Sequence, residues 1–127
     1  MSQESDRKSK MIRLSQRDYT PDQFISRLKG EFPDCSLSLF YNDNRKEIDL
    51  MSIIVPKEKR NLGIGTAIMQ KLVQYAKEHG IRVVLSPSVD FGASSKDRLK
   101  KFYKGFGFVE NKGKNKDYSI SDTMYTK

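Results

Sequence analysis

An arginine and two glycines stand at the start of a segment with helical periodicity, in an arrangement suited to binding an anion. Arg60, Gly63 and Gly65 follow the β-branched run at residues 53–55. The first N–H groups of a helix have no partner inside it, and the helix dipole makes that end positive. Glycine allows a ligand to approach the backbone closely. The pattern predicts a loop that holds a phosphate or pyrophosphate, although a tight turn without a ligand has the same sequence signature.

The elements around this loop predict a mixed α/β sheet flanked by helices on both faces. Residues 36–41 and 47–55 surround a segment rich in turn-forming residues and predict a hairpin. Residues 62–79 predict a helix that ends at Gly80, and residues 81–85 predict a strand parallel to the second hairpin strand. The other predicted strands lie at residues 11–14, 106–109 and 117–126.

Two further helices complete the predicted architecture. The first begins with Thr20 as N-cap, Pro21 at the first position and Gln23 three residues after the cap. Its apolar stripe consists of Phe24, Ile25, Leu28 and Phe32. The other helix is expected to begin at Ser94 or Ser95 and to end near Lys104.

Length and composition indicate one ordinary domain. The chain has 127 residues, of which 36% are hydrophobic and 31% charged. Residues 1–10 read as a disordered leader and residues 11–127 as a single domain. We expect no membrane segment, because no apolar run approaches about 18 residues. Cys35 is the only cysteine, so no internal disulfide can form, and the polar N-terminus is no secretory signal. These features favour a cytoplasmic location.

The positive charge is concentrated in one part of the chain. The formal net charge is +8, and residues 96–116 carry eight basic residues against Asp97 and Glu110. This segment is either a solvated face or a surface that attracts an anionic partner, such as coenzyme A or a nucleic acid. The sequence shows no dedicated nucleic-acid-binding module.

A second segment completes a resemblance to a known family. Arg60, Gly63 and Gly65 resemble the Arg/Gln-x-x-Gly-x-Gly/Ala motif of the GNAT superfamily of acyl-CoA N-acyltransferases. Residues 99–109, with Tyr103 ahead of a Gly-Phe pair, resemble the segment near the C-terminal end of that fold. The resemblance implies a GNAT-like fold with a trimmed N-terminal half, as in small and phage-type members.

The resemblance also implies acetyl-CoA as co-substrate, without a metal. Arg60 and the backbone N–H groups of the loop would bind the pyrophosphate, and the backbone of Ile53 and Val55 would pair with the pantetheine arm. The loop donors are those of Leu62, Gly63, Ile64, Gly65 and Thr66. Where many members have an asparagine before the tyrosine, this chain has Lys96 with Ser95 beside it, and these two residues are further candidates for contacting CoA.

The family's chemistry assigns two catalytic roles. Tyr103 would donate a proton to the departing thiolate, unless it is only a core aromatic residue. Asp49 occupies the position of the carboxylate that some members use as a general base, with Glu47 on the same strand face. In other members an ordered water takes the proton, and this alternative remains open.

The function implied is N-acetyltransfer from acetyl-CoA to a primary amine by direct transfer. The acceptor would be a small-molecule or protein amine. One alternative is an amine linked to a nucleic acid, in an aminoacyl-tRNA or a DNA base. Another is a non-catalytic module that binds CoA or a partner. A homodimer is possible if residues 117–126 form an exposed edge strand.

Overall fold

The computed structural model describes residues 19–60, 62–87 and 96–126. The helices in these residues are α1 (Pro21–Glu31), α2 (Ile64–His79) and α3 (Lys96–Lys104). The strands are β1 (Ser36–Asn42), β2 (Glu47–Ile54), β3 (Arg82–Leu85), β4 (Phe108–Glu110) and β5 (Met124–Thr126). The leader at residues 1–10, the strand predicted at residues 11–14 and the helix start at Ser94 or Ser95 lie outside the described residues.

The five strands form one mixed sheet in the order β1-β2-β3-β5-β4. The hairpin of β1 and β2 is antiparallel, β2 and β3 are parallel, and β5 is antiparallel to both of its neighbours. Helix α2 is the crossover between the parallel strands, as the sequence predicted. No helix in the described part of the chain has the length and apolar composition needed to cross a bilayer.

The C-terminal strand differs from its prediction in position and length. It lies between β3 and β4 and pairs with both, so the expectation that it forms an edge open to a second subunit is wrong. It is also short, because Asn111 occupies the backbone groups that a longer strand would need. The Asn111 amide donates to the carbonyls of Ile120 and Asp122 at 2.9 and 3.0 Å and accepts from the Asp117 N–H at 2.7 Å.

The main core lies on one face of the sheet, and side chains from all three described helices contact it. Helix α1 packs on α2 through Phe24, whose ring stacks on Tyr75 at 4.1 Å between centroids. On the opposite face Ile120 packs with Val84 and Tyr125. The predicted mixed sheet flanked by helices is confirmed, and the core contacts of the described helices lie on the main-core face.

The ends of the helices follow the sequence signals. Thr20 and Gln23 form the predicted capping box of α1, with reciprocal bonds of 2.9 and 3.2 Å. Gly80 ends α2 in the left-handed conformation, and its N–H bonds to the carbonyls of Ala76 and Lys77. Glycine is favoured there because a positive φ is costly for other residues.

Strand β2 continues beyond its parallel partner. Only Glu47 to Leu50 pair with β3, and the rest of β2 pairs with β1. The register between β1 and β2 shifts at Met51, which is one extra residue on β2 and therefore a β-bulge. No strand among the described residues pairs with the other edge of β2 after Leu50. This open edge faces the region between the ends of β2 and β3.

Candidate active site

An open cavity of about 260 Å³ lies at the N-terminus of α2. Six residues predicted from the sequence to contact CoA line it together: Val55, Arg60, Gly63, Ile64, Gly65 and Thr66. Lys59 and Phe102 complete the wall. Sequence reasoning missed these two, although each is adjacent to a residue that it identified.

The N-terminus of α2 presents to this cavity backbone donors that have no partner among the described residues. Gly63 is the N-cap, with φ 78° and ψ 12°, and no described side chain caps this end of the helix. The N–H groups of Ile64, Gly65 and Thr66 lie in the first turn, where no carbonyl of the helix can reach them. The first turn also contains no acidic residue. These donors and the helix dipole favour an oxyanion at this point.

Gly65 leaves room for a ligand without being required by the fold. A Cβ placed on it would lie 3.8 Å from Phe102 Cζ, which is an ordinary van der Waals contact. Its φ lies outside the left-handed region, in contrast to that of Gly63. Neither sterics nor backbone conformation therefore explains glycine here, whereas close approach of a ligand does.

Arg60 connects the loop to the end of β2. Its Nε donates to the Val55 carbonyl at 3.1 Å, and its two terminal nitrogens form no hydrogen bond with another described residue. The side chain thus fixes the loop and leaves positive charge available at the cavity. Pairing of Val55 with an extended ligand remains a prediction, since its carbonyl is already shared with Arg60.

The other residues predicted to contact CoA do not line this cavity. Ile53 is half-buried and packs against the main core, so only its backbone is available to a ligand. The Leu62 side chain is 69% exposed and does not line the cavity. Lys96 is exposed at the first residue of α3, and Ser95 lies outside the described residues. Contacts of Lys96 and Ser95 with CoA remain predictions.

Tyr103 lies in the last turns of α3, next to the cavity-lining Phe102. Its ring packs edge-on against Phe102 and Phe108, with centroids 5.3 and 5.9 Å apart. The hydroxyl forms no hydrogen bond with another described residue, and burial raises the pKa of Tyr103. The hydroxyl therefore stays protonated at neutral pH and keeps its proton available for donation. Packing and catalysis are compatible, because the ring can pack while the hydroxyl acts.

Asp49 lies on β2, opposite Phe40 on β1 and Val84 on β3. Burial raises the pKa of Asp49, and the negative charges of Asp122 and Glu47 raise it further. Its carboxylate forms no hydrogen bond with another described residue. A half-buried carboxylate with a raised pKa and no fixed partner is suited to accepting a proton.

Glu47, on the same strand face, has a different environment. Its side chain is buried and accepts two hydrogen bonds of 3.2 Å from Arg45, and Arg82 lies 3.9 Å away. These ion pairs hold the hairpin turn against β3. The carboxylate is therefore part of the scaffold, which leaves Asp49 as the free acid on this strand.

The chain is similar to known proteins over most of its length. The sequence profile of the acetyltransferase (GNAT) family matches residues 16–108. An uncharacterised N-acetyltransferase of Methanocaldococcus jannaschii is 32% identical over 91 residues, which is 68% of this chain and 38% of that protein. The chain thus spans less than two fifths of that relative's length.

Solved structures show the same fold. A GNAT-family acetyltransferase of Staphylococcus aureus Mu50 matches with a TM-score of 0.50 and 26% identity, over 72% of this chain and 56% of that one. Ard1 from Thermoplasma volcanium matches with a TM-score of 0.51 and 24% identity, over 84% and 78%. With the family profile covering most of the chain, the protein belongs to the GNAT acetyltransferase family.

Proposed function

We propose that this protein transfers an acetyl group from acetyl-CoA directly to a primary amine. The observation that carries the proposal is the uncapped N-terminus of α2, where unpaired N–H groups meet Arg60 beside the end of β2. A pyrophosphate supplies the oxygens that these donors lack. The family to which the chain belongs uses acyl-CoA, and this geometry supports that donor.

The residues divide into those that bind the donor and those that move protons. The loop and Arg60 hold the pyrophosphate, and the open edge of β2 near Ile53 and Val55 pairs with the pantetheine arm as an added strand. This places the thioester near the point where β2 and β3 separate. Holding donor and acceptor together lowers the entropy cost of the reaction.

The chemical step requires proton transfers at the amine and at the sulfur. Asp49 takes a proton from the acceptor ammonium, directly or through water, so that the nitrogen lone pair is free to attack the thioester carbonyl. A C–N bond forms, the C–S bond breaks, and Tyr103 donates its proton to the departing thiolate. The nitrogen then loses its second proton to water, which returns a proton to the Tyr103 phenolate, and the products are an amide and the free thiol of CoA.

Calorimetric titration with acetyl-CoA, followed by an assay of thiol release, tests the proposal. We expect micromolar binding by the full chain and release of CoA thiol only when an amine is present. A panel of small amines, peptides and aminoacyl-tRNA then identifies the acceptor class. Absence of binding at millimolar acetyl-CoA would contradict the proposal. Binding without thiol release for any amine would favour a non-catalytic CoA-binding module.

A further inference from the structure

Helix α3 and the residues just after β4 carry a cluster of lysines that the proposed acyl transfer does not use. The ammonium groups of Lys100, Lys104 and Lys112 lie 3.2, 2.9 and 3.5 Å from the carboxylate of Glu110. Hydrogen bonds from Lys104 and Lys100 lower the pKa of Glu110 to about 2. One carboxylate neutralises only one of three cations, so the cluster keeps excess positive charge.

The loop after β4 packs through Ile120 and Asn115 against Tyr125 on the other face of this edge strand, and it carries two more lysines. We call the two groups of lysines on either side of β4 the basic band. It consists of Lys100, Lys101, Lys104, Lys112, Lys114 and Lys116. Two acidic residues, Asp97 and Glu110, lie beside the lysines of α3. Lys101, Lys114 and Lys116 form no ion pair with another described residue. The ion pairs of Glu110 tie α3 to β4 and explain part of the band, whereas these three lysines add positive charge without a carboxylate partner among the described residues.

The loop of the band is anchored by hydrogen bonds from buried and half-buried side chains. Asn111 is 9% exposed, and its amide joins the two ends of the loop through Asp117, Ile120 and Asp122. The Tyr125 hydroxyl donates to the Asn115 carbonyl from beneath. The loop therefore displays its lysines from a fixed scaffold, which lowers the entropy cost of binding a partner.

An exposed aromatic ring follows the last lysine of this loop. The Tyr118 side chain is 90% exposed, and Lys116 Nζ lies 5.5 Å from its ring centroid. A fully exposed ring has no role in the core. Beside cations it matches the combination that single-stranded nucleic acids require, with ammonium groups for phosphates and a ring on which a base stacks. An acidic protein uses the charges but has no planar base for the ring.

We propose that the basic band and Tyr118 bind single-stranded nucleic acid, with phosphates on the lysines and a base on the Tyr118 ring. The proposal is independent of acyl transfer, because none of these residues lines the cavity at α2. If both proposals hold, the surface brings an amine carried by a nucleic acid to the enzyme.

Fluorescence anisotropy of the full chain with a labelled oligouridine tests the charge contribution. We expect binding that weakens steeply with salt, with a slope of about −0.7 in log K per contacted phosphate. The double variant Lys100→Gln/Lys104→Gln should flatten this slope. The control is Lys29→Gln/Lys71→Gln, two lysines of α1 and α2 outside the band. Absence of binding at low salt, or equal loss in the control, would overturn the proposal.

The identity of the partner is tested with Tyr118. Tyr118→Ser should weaken oligouridine binding about five-fold or more, whereas Tyr118→Phe keeps the ring and should bind like wild type. Neither change should alter binding of polyglutamate, which carries charge without bases. Equal affinity for polyglutamate and oligouridine, or no effect of Tyr118→Ser, would overturn the assignment to nucleic acid. Acetyl-CoA binding and thiol release, measured separately, decide the acyl-transfer proposal.

Discussion

The two ends of α2 have the same residue in the same backbone conformation but opposite hydrogen-bonding states. At the C-terminal end Gly80 has φ 65°, and its N–H bonds to carbonyls of the last turn. At the N-terminal end Gly63 has φ 78°, but within residues 19–60, 62–87 and 96–126 no side chain caps the helix and the donors of the first turn have no partner. Gly80 meets a requirement of folding, because it ends the helix. Gly63 has the same backbone conformation and also leaves N–H donors available to a ligand.

This difference has a small cost. A serine, threonine or aspartate at an N-cap stabilises a helix by about 1 kcal/mol relative to alanine but by only a few tenths of that relative to glycine. The chain uses such a cap at α1, where Thr20 and Gln23 satisfy each other, and omits it at α2. A side-chain oxygen at Gly63 would occupy the place of the ligand. The uncapped end thus marks binding more clearly than the glycines alone.

The largest effect is expected on turnover, in a variant of Tyr103 that leaves acetyl-CoA affinity unchanged. Tyr103→Phe keeps the ring that packs on Phe102 and removes only the hydroxyl. If the hydroxyl donates a proton to the thiolate, turnover should fall about 100-fold or more while acetyl-CoA affinity stays unchanged. Steady-state kinetics and calorimetry measure the two quantities. The control is Tyr118→Phe, which removes a hydroxyl outside the cavity, and unchanged turnover in Tyr103→Phe would sink the acid role.

A similar separation is expected for Asp49, together with a change in pH dependence. Because burial raises the pKa of Asp49, its base form should be lost at a higher pH than that of an ordinary aspartate. Wild-type turnover should therefore fall as pH drops through this raised pKa. Asp49→Asn should be about 100-fold slower and lose that acidic limb, unlike Asp43→Asn in the exposed hairpin turn. An unchanged profile would instead indicate water as the base.

Donor affinity should distinguish the two ends of α2 directly. Gly63→Asp places a negative charge at the anion site and removes room for the pyrophosphate, so acetyl-CoA affinity should fall about 30-fold, or ~2 kcal/mol. Gly80→Asp imposes similar backbone strain at the other end, and affinity should stay near wild type. Calorimetry and thermal melts measure affinity and stability. Equal loss of affinity in both variants would mean that strain, and not the site, is responsible.

A smaller effect is expected at Arg60. Arg60→Ala removes a charge beside the loop and the bond to the Val55 carbonyl, so acetyl-CoA affinity should fall about ten-fold. Arg60→Lys restores the charge without the Nε bond and should recover part of the loss. The comparison of these two variants by calorimetry separates electrostatic attraction from fixation of the loop. An affinity that neither variant changes would leave the backbone donors as the sole anion site.

Local signals in the sequence predicted most of the fold. The capping box at Thr20, the stop at Gly80 and the parallel β2–β3 pair all depend on nearby residues, and the structure confirms them. The position of β5 was not predictable in this way. Strand order depends on which distant edges meet, and a sequence pattern does not contain that information.

The length of β5 was missed for a related reason. Residues 117–126 alternate in polarity as a strand does, which places Tyr118 and Ile120 on one predicted face, yet Ile120 is buried and Tyr118 exposed. The side chain of Asn111 nevertheless takes the backbone groups of this segment into a loop. A single asparagine gives no sequence signal for this. The cavity was predicted better, because its donors come from one continuous motif, whereas Lys59 and Phe102 became visible only in three dimensions.

The bulge at Met51 changes the course of β2 without changing which residues face β1. Leu50 and Ile53 both lie opposite apolar residues of β1, Leu39 and Leu37, although they are three positions apart. Because Met51 has no partner on β1, deleting it would keep both pairs and remove only the bend and extra twist that a bulge gives a strand. This exposed residue therefore sets the direction in which β2 enters the loop, and its deletion should move Val55 and Arg60 while leaving the core pairs intact.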